Sequence, residues 1–182
     1  MQSTRIIAAV ANVWRQPNNT SIDTPALANV GLQPWLAQLS DEDTVALERD
    51  NRIVTQALFN DVFLVEQFVN GWAYGYVVNQ ADSRHPQGYP GWVWAAQLST
   101  VPLPVQTGPM ITIRRGFTPL LCLDGRTFLN LSLGTELPVI SSKDHRYYTV
   151  QTPLGTGKIA KRATQFAFRT ARLTPGATLV RL

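Results

Sequence analysis

The chain of 182 residues has room for one medium domain or two small ones, and 45% apolar and 15% charged residues make it a folding composition without low-complexity runs. No stretch approaches the roughly 20 apolar residues of a membrane span, and one cysteine, Cys122, excludes an internal disulfide. The charge is uneven: residues 1–100 carry five Arg, no Lys and nine acids, net −4, and residues 101–182 carry eleven Lys or Arg and three acids, net +8.

In chain order, Arg5 to Ala11 imitates a signal peptide only faintly, and Val10–Trp14 reads better as a strand ended by a turn at Gln16-Pro17-Asn18-Asn19. Residues 25–50 have helical character. Pro34 opens a helical turn carrying Trp35, Leu36 and Leu39, and Ser40 is an N-cap followed by Asp41, Glu42 and Asp43. From Val54 the strand period takes over, with runs at 55–59, 61–68 and 72–78. Asn70-Gly71 is a type I′ hairpin signal, because both central residues of that turn need positive φ. A loop over 79–86 leads to Gly88-Tyr89-Pro90-Gly91-Trp92-Val93-Trp94.

Pro102, Pro104 and Pro109 mark a stiff linker over 101–109. Further strands follow at 111–115, 119–123, 128–133, 135–140, 147–151 and 157–160, with a hairpin signal at Asp124-Gly125. The halves echo each other. The series Phe63-Leu64-Val65-Glu66, Gly71-Trp72-Ala73-Tyr74-Gly75-Tyr76 and Gly91-Trp92-Val93 is echoed by Leu137-Pro138-Val139-Ile140, His145-Arg146-Tyr147-Tyr148-Thr149-Val150 and Gly157-Lys158-Ile159. Such a long period means two copies of a domain. Short strands and tight turns predict an all-β fold of two small β-barrels in tandem, the first with a short helical insertion.

Strand Val10–Trp14, the helical insertion, Thr55-Gln56, Asn70-Gly71-Trp72 and Gly88-Tyr89-Pro90-Gly91-Trp92-Val93 together resemble the first SH3-type domain of NlpC-type cysteine peptidases. The resemblance is closest to the γ-D-glutamyl-L-diamino acid endopeptidases that trim cell-wall peptides. Leu133-Gly134-Thr135-Glu136-Leu137-Pro138-Val139 is similar to their second SH3-type domain. The resemblance implies SH3-like barrels over 1–100 and 110–168, a Pro-rich linker over 101–109, and a linker over 169–182 toward a peptidase domain that these residues lack.

In that family a Tyr in the Gly-Tyr-Pro-Gly-Trp run touches the free L-Ala end of the substrate peptide, and a Glu before the Thr-Gln pair binds its ammonium. The resemblance assigns the first role to Tyr89. It puts Val54 at the Glu position, without the counter-charge that a buried ammonium requires. Either the specificity has drifted or the module no longer reads that end. Trp92 is a second candidate for ligand contact, with core packing as the alternative; Tyr74 and Tyr76 share one strand face and read as core or rim.

No catalytic residue is assigned. Cys122 lies among leucines as an inert apolar residue. Asp82, Ser83 and His85, like Ser141, Asp144 and His145, are explained by polar loop composition, since a triad is defined by geometry. Two His and one Cys make no zinc site, and no cofactor is implied. The basic residues Lys158, Lys161, Arg162, Arg169 and Arg172 are a solvated face or a site for an anionic polymer; sparse aromatics among them argue against nucleic acid.

The function implied is non-catalytic recognition of murein peptide or peptidoglycan and positioning of it as substrate, with a peptidase domain in cis as a further partner and no membrane. A fragment of an intact cysteine peptidase and a general protein-interaction SH3 module are the alternatives. The setting expected is cytoplasmic, or the cell envelope where a signal peptide has been removed.

Overall fold

Alternating apolar residues organise the described part of the computed structural model, residues 1–17, 23–27, 32–99 and 108–167, into two antiparallel sheets. The first contains β1 (Gln2–Arg5), β2 (Val10–Trp14), β3 (Ile53–Leu58), β4 (Val62–Val69), β5 (Trp72–Val77) and β6 (Tyr89–Trp94), in the order β1-β4-β5-β6-β2-β3. The second contains β7 (Met110–Ile113), β8 (Thr118–Leu121), β9 (Thr127–Leu131), β10 (Glu136–Ser141), β11 (Tyr147–Thr152), β12 (Gly155–Ala160) and β13 (Thr164–Phe166), in the order β13-β7-β10-β11-β12-β8-β9. The fold is all-β. From β7 to β12 the second order repeats the first strand for strand.

Local chemistry behaves as the sequence predicts at two turns and departs at a third. Ser40 caps α2 (Asp41–Arg49): its hydroxyl accepts the Asp43 N–H at 3.1 Å, and the Asp43 carboxylate accepts the Ser40 N–H at 3.0 Å. A shorter helix, α1 (Gln33–Leu36), buries Trp35. Asn70 and Gly71 take φ of 48° and 81°, the paired positive values of a type I′ turn. At Asp124-Gly125 only Gly125 is left-handed, and the Cys122 N–H closes the turn on the Arg126 carbonyl at 2.7 Å. β8 therefore ends at Leu121. Cys122 is half-buried in the turn and not inside a strand as expected.

Strands β1 and β13 carry no clear period in the sequence and are placed by long-range pairing, β1 on β4 and β13 on β7. The linker expected over 101–109 lies mostly outside the described residues, as do 168–182 and the Asn18-Asn19 turn.

Three apolar clusters hold the sheets. Ile6, Val13, Phe63, Val77 and Val93 centre the first, and Ile111, Ile113, Leu120, Leu137 and Ile159 the second. Trp14, Trp35 and Trp72 form a third beneath the helical segment, with Trp92 and Trp94 against it. Phe59, from the turn after β3, is wholly buried and belongs to the second cluster. The first sheet thus supplies an anchor to the interior of the next.

Candidate functional site

A missing side chain positions the most clearly built cleft. A Cβ on Gly91 would lie 2.4 Å from Val13 Cγ1 and 3.1 Å from both the Trp14 carbonyl and Val54 Cγ2. Only glycine lets β6 cross β2 at that distance, and the crossing brings β6 beside Val54 on β3. The register of β5 and β6 pairs Val77 with Tyr89, which sets Tyr89 at the first residue of β6. Tyr89 and Val54 thereby line one cleft of about 330 Å³ with Arg15, Tyr74, Arg84 and His85. Trp92 stands behind this lining: its ring meets Tyr74 at 5.2 Å between centroids and packs on the tryptophan cluster.

The loop between β5 and β6 forms the rim. Asp82 Oδ1 accepts the N–H groups of Arg84 and His85 at 2.8 and 2.9 Å and contacts His85 Nδ1 at 2.9 Å. The Arg84 N–H first, then the His85 ring, hold the Asp82 carboxyl below its ordinary range. The His85 ring lies 5.8 Å from that of Tyr76, whose hydroxyl donates to Glu66 Oε2 at 2.9 Å. Burial, then that carboxylate, pushes the Tyr76 phenol up to about 12. Gln80 ties the other end of the loop to β3, donating from Nε2 to the Gln56 carbonyl at 2.6 Å.

Charge distinguishes the cleft. The guanidinium of Arg84 makes no hydrogen bond or ion pair among the described residues, and Arg15 donates from Nε to the Asn51 carbonyl at 2.9 Å. The one acid in the lining, Asp82, is already engaged with its own loop. The cleft therefore offers an aromatic wall, an aliphatic patch at Val54 and a net positive charge, Arg15 and Arg84 against Asp82.

Neither polar trio assembles a triad. His85 meets Asp82, but no hydrogen bond joins it to Ser83 among the described residues. Asp144 spends its Oδ1 on the N–H groups of Arg146 and Tyr147, and Ser141 Oγ accepts the Lys143 N–H. No group of three or more His, Cys, Asp or Glu suited to a metal occurs among the described residues. The sequence pattern did not single out Tyr74, Arg15 or Arg84 as neighbours of Tyr89. Their proximity comes from strand order, which no local spacing encodes.

Comparison with known proteins gives this cleft a context. The chain is 33% identical over 153 residues to the γ-D-glutamyl-L-lysine dipeptidyl-peptidase of Bacillus subtilis, covering 82% of this chain and 51% of the relative. The chain belongs to the family of the γ-D-glutamyl-L-lysine dipeptidyl-peptidases. A γ-D-glutamyl-L-lysine dipeptidyl-peptidase of Bacillus cereus is 28% identical over 156 residues, 82% of this chain and 46% of that protein. The crystal structure of an NlpC/P60 family protein from B. cereus superposes with a TM-score of 0.79 at 25% identity, covering 91% of this chain and 56% of that one. The chain thus spans about half the length of the curated relatives it matches. No protein-family model matches it. Among the described residues no helix is long and apolar enough to cross a membrane.

Proposed function

We propose that the chain is a non-catalytic recognition module, two SH3-type barrels that bind murein peptide and position it for a cysteine peptidase. The observation that carries this reading is the cleft at Tyr89 and Val54, in a chain similar to γ-D-glutamyl-L-lysine dipeptidyl-peptidases. Tyr89 and Tyr74 offer flat faces to a peptide backbone, and Pro90 and Gly91 stiffen the wall between them. In this reading the amide cleavage is supplied by residues other than these. Cys122 sits in a hairpin turn, and no hydrogen bond joins its thiol to a histidine among the described residues.

Titration of the labelled chain with L-Ala-γ-D-Glu peptides at millimolar concentration tests the proposal by NMR. Saturable shifts at Tyr74, Tyr89 and Gly91, lost in Tyr89→Ala, are expected. Absence of those shifts, or cleavage of the peptide by the purified chain, overturns it.

A further inference from the structure

The corner where β5 meets β6 recurs where β11 meets β12, on the same backbone but with a different filling. In the first sheet Trp72 pairs with Trp94, and the Ala95 N–H donates to the Gly71 carbonyl at 2.9 Å. In the second, Tyr147 pairs with Ala160, and the Lys161 N–H donates to the Arg146 carbonyl at 2.9 Å. A short 3₁₀ turn follows in both, Ala95–Gln97 and Lys161–Ala163. These bonds fix the equivalence residue by residue.

Trp94 plugs the first corner. Its ring lies so close over Gly71 that a Cβ there would come within 2.7 Å, and it meets Trp72 edge-on with centroids 5.3 Å apart. The second corner has Ala160 in place of that indole. A pocket of about 420 Å³ is left between Tyr147, Ala160 and the turn. Around it the residues have changed in one direction. Asn70, Gly71, Ala95 and Ala96 of the first corner correspond to His145, Arg146, Lys161 and Arg162 of the second, and all four of these line the pocket. Where the first corner has four neutral residues and an indole plug, the second has three cations, a histidine and no plug.

No carboxylate lines this pocket among the described residues. The nearest acid along the chain, Asp144, lies outside the lining; it accepts the N–H groups of Arg146 and Tyr147 at 2.7 and 3.1 Å and attracts His145 and Arg146 coulombically, so it offsets part of the charge. The Lys161 ammonium is fixed by the Ser142 carbonyl at 2.9 Å and lies 4.9 Å from the centre of the Tyr148 ring. The guanidiniums of Arg146 and Arg162 make no hydrogen bond among the described residues. Two planar forks on one pocket match the several oxygens of a phosphate.

We propose that this pocket is an anion site that takes a phosphate group, alone or within a polyol-phosphate chain. The two corners share their backbone pairing, so Ala in place of Trp and cations in place of neutral residues suffice to make the site on the same fold.

The test titrates the full chain with inorganic phosphate and, separately, with a glycerol-phosphate oligomer, following amide shifts and calorimetric heat at low and at raised salt. Saturable shifts at Arg146, Tyr147 and Arg162 that weaken with salt are expected. Binding of both ligands makes the phosphate group sufficient; binding of the oligomer alone makes the diester chain the ligand. Ala160→Trp on an Arg146→Gly background restores the plug, since the indole needs a glycine beneath it, and the double variant Arg146→Ser with Arg162→Ser removes two exposed charges without touching the core. Each weakens binding by roughly tenfold or more, and the double variant leaves the amide spectrum around Tyr89 unchanged. No saturable shift with either ligand, or undiminished binding in the double variant, overturns the proposal.

Discussion

The side-chain amide of Asn60 donates to the main-chain carbonyl of Glu136 at 2.8 Å, joining the turn after β3 to the first residue of β10. Asn60 itself has a φ of 72°, a left-handed position that asparagine tolerates better than most residues. Its neighbour Phe59 is wholly buried in the second sheet's apolar cluster. The two sheets are therefore coupled through two consecutive side chains of the first.

That coupling predicts the effect of Phe59→Ala. A large-to-small change at a fully buried phenylalanine costs about 3–5 kcal/mol. The loss is expected to register at amides of β7 to β12 as well as at β3 and β4. Hydrogen exchange checks this; protection lost from the first sheet alone would remove Phe59 from its coupling role.

Gly91 is the crossing point on which the cleft depends. Gly91→Ala puts a methyl carbon 2.4 Å from Val13 Cγ1, so β6 must move off β2. Overpacking of this kind costs about 1–3 kcal/mol. A lower urea midpoint, together with shifted amides at Val54 and Tyr89, is expected. An unchanged midpoint would mean that the strands slide apart without penalty.

On the proposed reading, position 54 sets which peptide end the cleft accepts. Val54→Glu adds a carboxylate to a lining whose one acid, Asp82, is already engaged. The variant is expected to gain roughly tenfold in affinity for a peptide with a free N-terminal ammonium, a change of about 1.4 kcal/mol. It gains nothing for the N-acetylated peptide. Calorimetry with the matched pair decides, and equal gains for both would show that the new charge does not meet the amine.

Tyr76 makes the fold sensitive to alkali. Its phenol is held at about 12 in the folded chain against an ordinary value of 10.0, through burial and the Glu66 hydrogen bond. Between those values the folded state keeps a proton that the unfolded state releases, so stability falls as pH rises through that window. The contribution is fully present below pH 10. Urea midpoints measured across the window should decline for the wild type and stay flatter in Tyr76→Phe.

The sequence by itself determined what is local. Period-two alternation located β2 and the strands from β3 to β12 to within a few residues. Asn70-Gly71 specified its own turn because its positive φ values are a property of those two residues, and Ser40 with Asp43 specified the start of α2. The echo between Gly91-Trp92-Val93 and Gly157-Lys158-Ile159 was also legible, since both glycines stand where a β-carbon would strike a crossing strand. The short strands β1 and β13 were not legible. Their residues show no alternation, and pairing with partners distant in the chain places them.

Tertiary structure alone decided which residues share a site. Val54 and Tyr89 meet because the strand order places β6 beside β2 and β2 beside β3, an arrangement set by long-range pairing. Arg15, Tyr74 and Arg84 join them for the same reason. The exchange of Trp94 for Ala160 carries meaning only once hydrogen-bond register makes the two positions equivalent. A residue pattern records the backbone conformation and burial each side chain favours; it holds no direct record of the space left when a distant side chain is absent.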